Sequence, residues 1–164
     1  MSDEHGAPAA SFLSLLHEHE RLDDLFLQHQ EALLDADIPR ASACLQDFAQ
    51  GLRSHIRLEE EQLLPVYERA GTIPGGGVAL FRGEHKKILE YLDRFVQTVA
   101  EMTEGPEPLK RKILQLLDEE VVFKHVMLHH DLRERNILYP VLDSVTEEQE
   151  RRILLNSPSR SQNL

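Results

Sequence analysis

The chain has 164 residues, 41 % of them hydrophobic and 29 % charged, with no Trp. That length and balance describe one soluble globular domain with a core of its own. A formal net charge of −11 argues against counterion-driven binding to nucleic acid and against docking on an anionic membrane, both of which need a basic face.

The first residues, MSDEHGAPAAS, lack the basic and apolar regions of a signal peptide. No apolar run reaches the ~20 residues of a membrane span, so a cytoplasmic protein with a flexible start over residues 1–10 is expected. Cys44 is the only cysteine, which leaves no internal disulfide and no thiolate metal cluster. From Ser11, a suitable cap, apolar residues follow the helical period in four segments. In the first, Phe12, Leu15, Leu22, Phe26 and Leu33 share a face, and His19 and His29 fill its gaps. Asp37 and Pro39 open the second, where His55 and Glu59 lie between Leu45, Phe48, Leu52 and Val66. "AGTIPGGG" (70–77) closes it at Gly71. That run lacks a Gly-Lys-Ser/Thr ending and follows a helix, so it does not read as a phosphate loop.

The third segment carries Phe81, His85, Ile88, Leu92, Phe95, Val99 and Met102. "EGPEP" (104–108) separates it from the fourth, where Glu120, His130 and Glu134 stand among Ile113, Leu116, Phe123, Met127, Ile137 and Val141. Pro65 and Pro140 are expected to kink or end their helices, because each removes a backbone donor. "TEEQERRILL" (146–155) reads as a short terminal helix with a Thr146–Gln149 capping box, and residues 156–164 as a frayed tail. Strand alternation appears nowhere. The expected fold is all-α: an antiparallel up-down-up-down four-helix bundle over residues 11–145, followed by a short C-terminal helix.

The chain also repeats itself. HIRLEEEQLLP (55–65) and HDLRERNILYP (130–140) share a His, a Glu four residues on, and a Pro six residues after that. EHERLDDLF (18–26) aligns with EHKKILEYL (84–92). His19 therefore corresponds to His85, His55 to His130, and Glu59 to Glu134. Four residues advance about 400° along a helix, so each His-x3-Glu pair stands on one face, a turn apart. All six side chains occupy the apolar register, and burying them unpaired would cost several kcal/mol each.

A metal site is the natural compensation. Four imidazoles and two carboxylates exceed the four ligands of one tetrahedral zinc. Two metals could each take two His and share both carboxylates, leaving positions for a bridging oxygen species and an exogenous molecule. This mixed nitrogen and oxygen set suits iron, with manganese or zinc as substitutes. One histidine on an apolar face is usually an ordinary core residue; two such frames plus two further histidines in register are not. The Glu-x-x-His spacing of ferritin-like di-iron proteins is absent from the sequence. Of the other candidates, His17 points away from His19 and reads as solvent-facing, and His129 breaks the Glu and Pro offsets that His130 keeps. His125 could pair with His129 at the surface. Glu60 and Glu61 read as solvated neighbours of Glu59, and His5 lies in the flexible start.

These residues resemble the hemerythrin-like family, the HHE cation-binding domain. The match covers about residues 11–143 and rests on Glu18-His19, His55-x3-Glu59, Glu84-His85 and His130-x3-Glu134 taken together. It implies a non-haem di-iron centre inside an up-down-up-down bundle. The oxygen-carrying branch has a second His where this chain has Leu89, and an Asp where it has Arg135. The chain is more similar to the four-His, two-Glu branch, associated with iron sensing, iron-centre repair and responses to oxygen or nitric oxide. The function implied is a di-iron binding protein meeting oxygen, nitric oxide or peroxide as sensor, scavenger or iron store. The alternatives are a di-iron oxidoreductase turning over peroxide or oxygen, and a structural or partner-binding bundle.

One further pair is expected outside that motif. His29 lies ten residues after His19, and Glu120 ten before His130. In antiparallel helices both offsets lead about 15 Å the same way. The two should form a buried hydrogen-bonded pair, lining a polar route to the centre.

Overall fold

The computed structural model describes residues 8–157, and the regular structure among them is entirely helical. In chain order the helices are α1 (Leu16–Leu34), α2 (Ile38–Leu58), α3 (Leu64–Tyr67), α4 (Val78–Ala100), α5 (Leu109–Arg133), α6 (Tyr139–Val145) and α7 (Glu148–Asn156). The four long ones are the four segments of helical period. Expectations for residues 1–7 and 158–164 lie outside the described residues. No helix among the described residues is long and apolar enough to cross a membrane.

Most boundaries have the local cause expected of them. The Ser11 side chain accepts from the Leu13 amide and caps a 3-10 turn (Phe12–Leu15) leading into α1. After α1, Ala36 takes φ 56, and the amides of Ala36 and Asp37 bond back to the carbonyls of Leu33 and Ala32, both at 2.9 Å. This is the Schellman arrangement, with alanine where glycine is usual. The Asp37 carboxylate then caps α2 through the Arg40 amide at 3.1 Å.

At Pro65 and Pro140 the α-helical hydrogen bonding is interrupted. Neither helix ends at its proline; each first widens into a π-helical turn, Glu59–Leu63 and Glu134–Leu138, and then continues as α3 and α6. The amides of Leu64 and Tyr139 bond five residues back, to the carbonyls of Glu59 and Glu134. A proline ring in an unbroken α-helix clashes with the carbonyl four residues earlier. The wider turn moves that carbonyl aside, and Pro65 and Pro140 enter the first turn of the next segment, where no amide is needed. The Thr146–Gln149 capping box does not form. The Thr146 hydroxyl turns back and donates to the Leu142 carbonyl at 2.6 Å, and α7 starts at Glu148 without a side-chain cap.

α1 packs against α2 and α5, and α4 packs against the same two. Gly51 sits on α2 facing α1, where a Cβ would stand 2.7 Å from Leu22 Cδ2. Two apolar clusters fill the interior. One gathers Leu22, Leu52, Ile88 and Phe123, where Phe26, Phe48, Phe95 and Phe123 meet ring to ring at 4.9–6.2 Å. Such aromatic pairs add about 0.5–1.5 kcal/mol each beyond burial. The other gathers Phe12, Leu63, Phe81, Leu138 and Tyr139. On each long helix the polar residues of the repeat fall between the two: His19 between Phe12 and Leu22, His55 between Leu52 and Leu63, His85 between Phe81 and Ile88, His130 between Phe123 and Leu138. The protein therefore carries a polar layer between two apolar clusters.

Candidate metal centre

That layer brings together all six side chains singled out by the repeat. They form two groups of four, His19, His55, Glu59 and Glu134 in one and Glu59, His85, His130 and Glu134 in the other. Within each group the ligand-capable atoms lie within 4.8 Å of one another, every member is buried, and each group could hold a metal ion. Both carboxylates belong to both groups. Glu59 faces His55 with one oxygen and His85 with the other, each at 3.2 Å. Glu134 sets one oxygen 2.8 Å from His130 and the other 3.1 Å from His19.

Protein partners alone do not satisfy this layer. Glu59 Oε2, Glu134 Oε1, His85 Nε2 and His19 Nδ1 are buried without a hydrogen bond. His85 Nε2 and Glu59 Oε2 stand 3.2 Å apart, close enough for an ion pair yet misaligned for a hydrogen bond. Buried polar atoms nearly always find partners, and three of these four face the common centre. Buried nitrogen and carboxylate oxygen atoms gathered within 4.8 Å of one another are the donor set a cation requires.

Protons stand in for the cation in the electrostatics. Burial alone would make His55, His85 and His130 harder to protonate, but Glu59 and Glu134 outweigh it. His55 and His85 are lifted to about 9 and His130 to about 11. Burial and their mutual repulsion push the carboxyls of Glu59 and Glu134 up, yet the surrounding imidazoles hold both below the usual range. Three imidazolium groups, those of His55, His85 and His130, therefore face two carboxylates, so most of the charge in the layer is neutralised from within.

Further carboxylates orient the rings. His85 Nδ1 donates to Glu60 Oε1, and His130 Nδ1 to Glu84 Oε2, both at 3.0 Å. Arg133 braces Glu84 at 2.9 Å. Each such bond turns the ring's Nε2 inward, the arrangement common behind metal-bound histidines. Glu60, expected to be a solvated neighbour, therefore has a partner inside the protein. The repeat breaks on the other side. Glu18, the counterpart of Glu84, is taken by Arg21 at 2.7 and 2.9 Å, and Arg135 replaces Glu60. His19 Nδ1 has only Asp131, 3.5 Å away and without a hydrogen bond.

One residue in the layer escaped the sequence reading. Tyr139 is buried, and its hydroxyl donates to Glu59 at 2.8 Å while lying 3.2 Å from Glu134 and 3.1 Å from His19 Nε2. Five residues advance about 500° along an α-helix, which puts Tyr139 some 140° off the face of Glu134; the π turn brings it back. The only signal was the contrast between LYP at 138–140 and LLP at 63–65. Burial and the two carboxylates push its phenol well above the usual tyrosine value and keep it protonated. Tyr139→Phe is expected to leave the metal count unchanged, because the phenol holds its proton and already donates it to Glu59. It should cost the metal-free protein about 1–3 kcal/mol in denaturant unfolding, by stranding a Glu59 oxygen. Loss of one metal from this variant would instead make the hydroxyl a ligand.

The other histidines among the described residues fall where the register predicts. His17 is exposed beside Glu20, and His125 and His129 are exposed. His29 and Glu120 are both fully buried and meet at 2.7 Å, Nε2 to Oε1. His29 Nδ1 donates to the Ala41 carbonyl at 2.8 Å, and Gln30 donates to the second Glu120 oxygen at 2.9 Å. The pair is sealed on every side, so it braces α1 against α5 rather than lining a route. Glu120→Ala should destabilise the fold by about 1–3 kcal/mol through the stranded His29. Chemical denaturation measures that cost, and elemental analysis of the same variant should return an unchanged metal content.

Comparison with known protein families, with curated proteins and with solved structures finds no match for this chain. The reading of the centre therefore rests on its own geometry and on the residues that carry the repeat.

Proposed function

We propose that this chain is a non-haem di-iron protein of the hemerythrin-like type, of the four-His, two-Glu branch, whose centre meets oxygen, nitric oxide or peroxide as sensor, scavenger or iron store. In this reading the four long helices run up-down-up-down and antiparallel, placing the repeated motifs at one level. The observation that carries the proposal is the pair of four-residue groups sharing Glu59 and Glu134. A structural or partner-binding bundle has no need of two buried ligand sets that share both carboxylates.

Iron bound there would supply redox chemistry and open coordination positions. The chain's residues do the rest. His19 and His55 would hold one ion, His85 and His130 the other, and Glu59 and Glu134 would reach both. Glu60 and Glu84 fix the ring orientation of the second histidine pair. Tyr139 keeps a proton poised beside Glu59 and His19. That buried phenol favours a second reading, an oxidoreductase turning over peroxide or oxygen at the same place. Iron content and visible absorption of protein from iron-replete cells test the proposal: about two irons per chain are expected from six ligands. Steady consumption of peroxide by that sample would favour the enzyme, and a colourless protein with one zinc per chain would exclude both readings.

A further inference from the structure

The two flanks of the polar layer are closed differently. By the repeat, Asp23 corresponds to Leu89, Met127 to Leu52 and Asp131 to Ile56. Between α2 and α4 these positions are apolar: Ile56 is 4 % exposed, and Leu89 packs on the core. Between α1 and α5 the same level carries two aspartates, and there the surface opens. A cavity of about 250 Å³ lies between these helices, backed by Phe26, Phe48 and Phe123. Leu27 and Leu128 form part of its rim, 52 % and 53 % exposed. A second, far smaller space of about 10 Å³ touches His19, His55, His130 and Glu134. Asp23, Met127 and Asp131 line both spaces. One lining thus leads from solvent to four of the six converging side chains.

The dimensions and chemistry of this lining select what can use it. A space of some 10–15 Å³ holds about one water-sized molecule, so the inner end admits nothing much larger. Two carboxylates at the narrowing repel anions through a low-dielectric wall, whereas the apolar back suits uncharged guests. We propose that the α1–α5 cleft is the entry by which a small uncharged molecule such as nitric oxide, oxygen or hydrogen peroxide reaches the centre, with Met127, Asp23 and Asp131 as its constriction. The proposal rests on the di-iron reading above.

Two experiments on the full chain decide it. Crystals pressurised with xenon should show the atom between Phe26, Phe123 and Met127, since an apolar cavity of about 150 Å³ already takes xenon. In the iron-loaded protein, Leu128→Trp at the exposed rim should slow nitric oxide binding by about tenfold or more with the iron content unchanged. Ile153→Trp, an exposed position on α7, should leave the rate alone. A cavity without xenon, or an unchanged rate in Leu128→Trp with iron in place, overturns the route and leaves the metal reading standing. A wild-type chain that takes up no iron overturns the metal reading, and the route with it.

Discussion

Replacing Glu134 with alanine is expected to empty both metal positions at once. Its two oxygens face opposite ways, 2.8 Å from His130 and 3.1 Å from His19, and it is a member of both four-residue groups. Removing it takes a ligand from each ion, so content should fall from about two per chain to well below one. His130→Ala removes a ligand from one group only and should be milder, while His129→Ala, at an exposed neighbour, should change nothing. The alanine also strands buried imidazolium groups, and breaking a buried pair from one side costs about 3–5 kcal/mol. Glu134→Gln, which keeps shape and part of the hydrogen bonding, separates metal loss from unfolding. Elemental analysis of folded, monodisperse protein is the check. An Ala or Gln variant that still holds two metals contradicts the bridging role.

The second large effect is a reversal of pH dependence between metal-free and metal-loaded protein. In the metal-free chain His55 and His85 titrate at about 9 and His130 at about 11, against about 6.5 when unfolded. Raised values of this kind stabilise fully below pH ~6.5, and the contribution is lost as pH climbs through 9 towards 11. Glu59 and Glu134 are lowered, so their contribution is present above about pH 4.3 and is lost as pH falls below it. Metal-free protein should therefore be most stable near pH 5–6. A cation needs the imidazoles neutral, so loading at pH 7 expels protons from these three histidines, and apparent affinity rises with pH. Melting temperature from pH 6.5 to 9 should fall for chelator-treated protein, on the order of 10 °C for a few kcal/mol at this chain length. Over the same range it should hold or rise for loaded protein. Parallel curves would show that the six side chains do not exchange protons for metal.

Much of the site was legible because it obeys the period. His19, His55, Glu59, His85, His130 and Glu134 all fall on apolar stripes, and a repeat offset of 66 or 75 residues relates them. The all-helical character followed from the same stripes, and the His29–Glu120 pair from counting ten residues along two of them. What was not legible depends on departures from the period or on neighbours in other helices. Tyr139 reaches the centre only because a π turn shifts the register by one residue, and Pro140, read as a kink or an end, is bound up with that turn. Glu60 and Glu84 sit on helix shoulders, where a carboxylate usually meets water; their partners His85 and His130 come from other helices. Thr146 and Gln149 had the spacing of a capping box, but the hydroxyl had a nearer carbonyl in α6. Asp23 and Asp131 line the cleft where the other flank has Leu89 and Ile56, a contrast that acquires meaning only when the flanks are placed side by side.

The most direct measurement is anomalous diffraction from crystals of the iron-grown protein, recorded at the iron edge. Two peaks inside the polar layer are expected, one beside His19 and His55 and the other beside His85 and His130, with Glu59 and Glu134 reaching both. A single peak, or none within these six side chains, would contradict the di-iron centre.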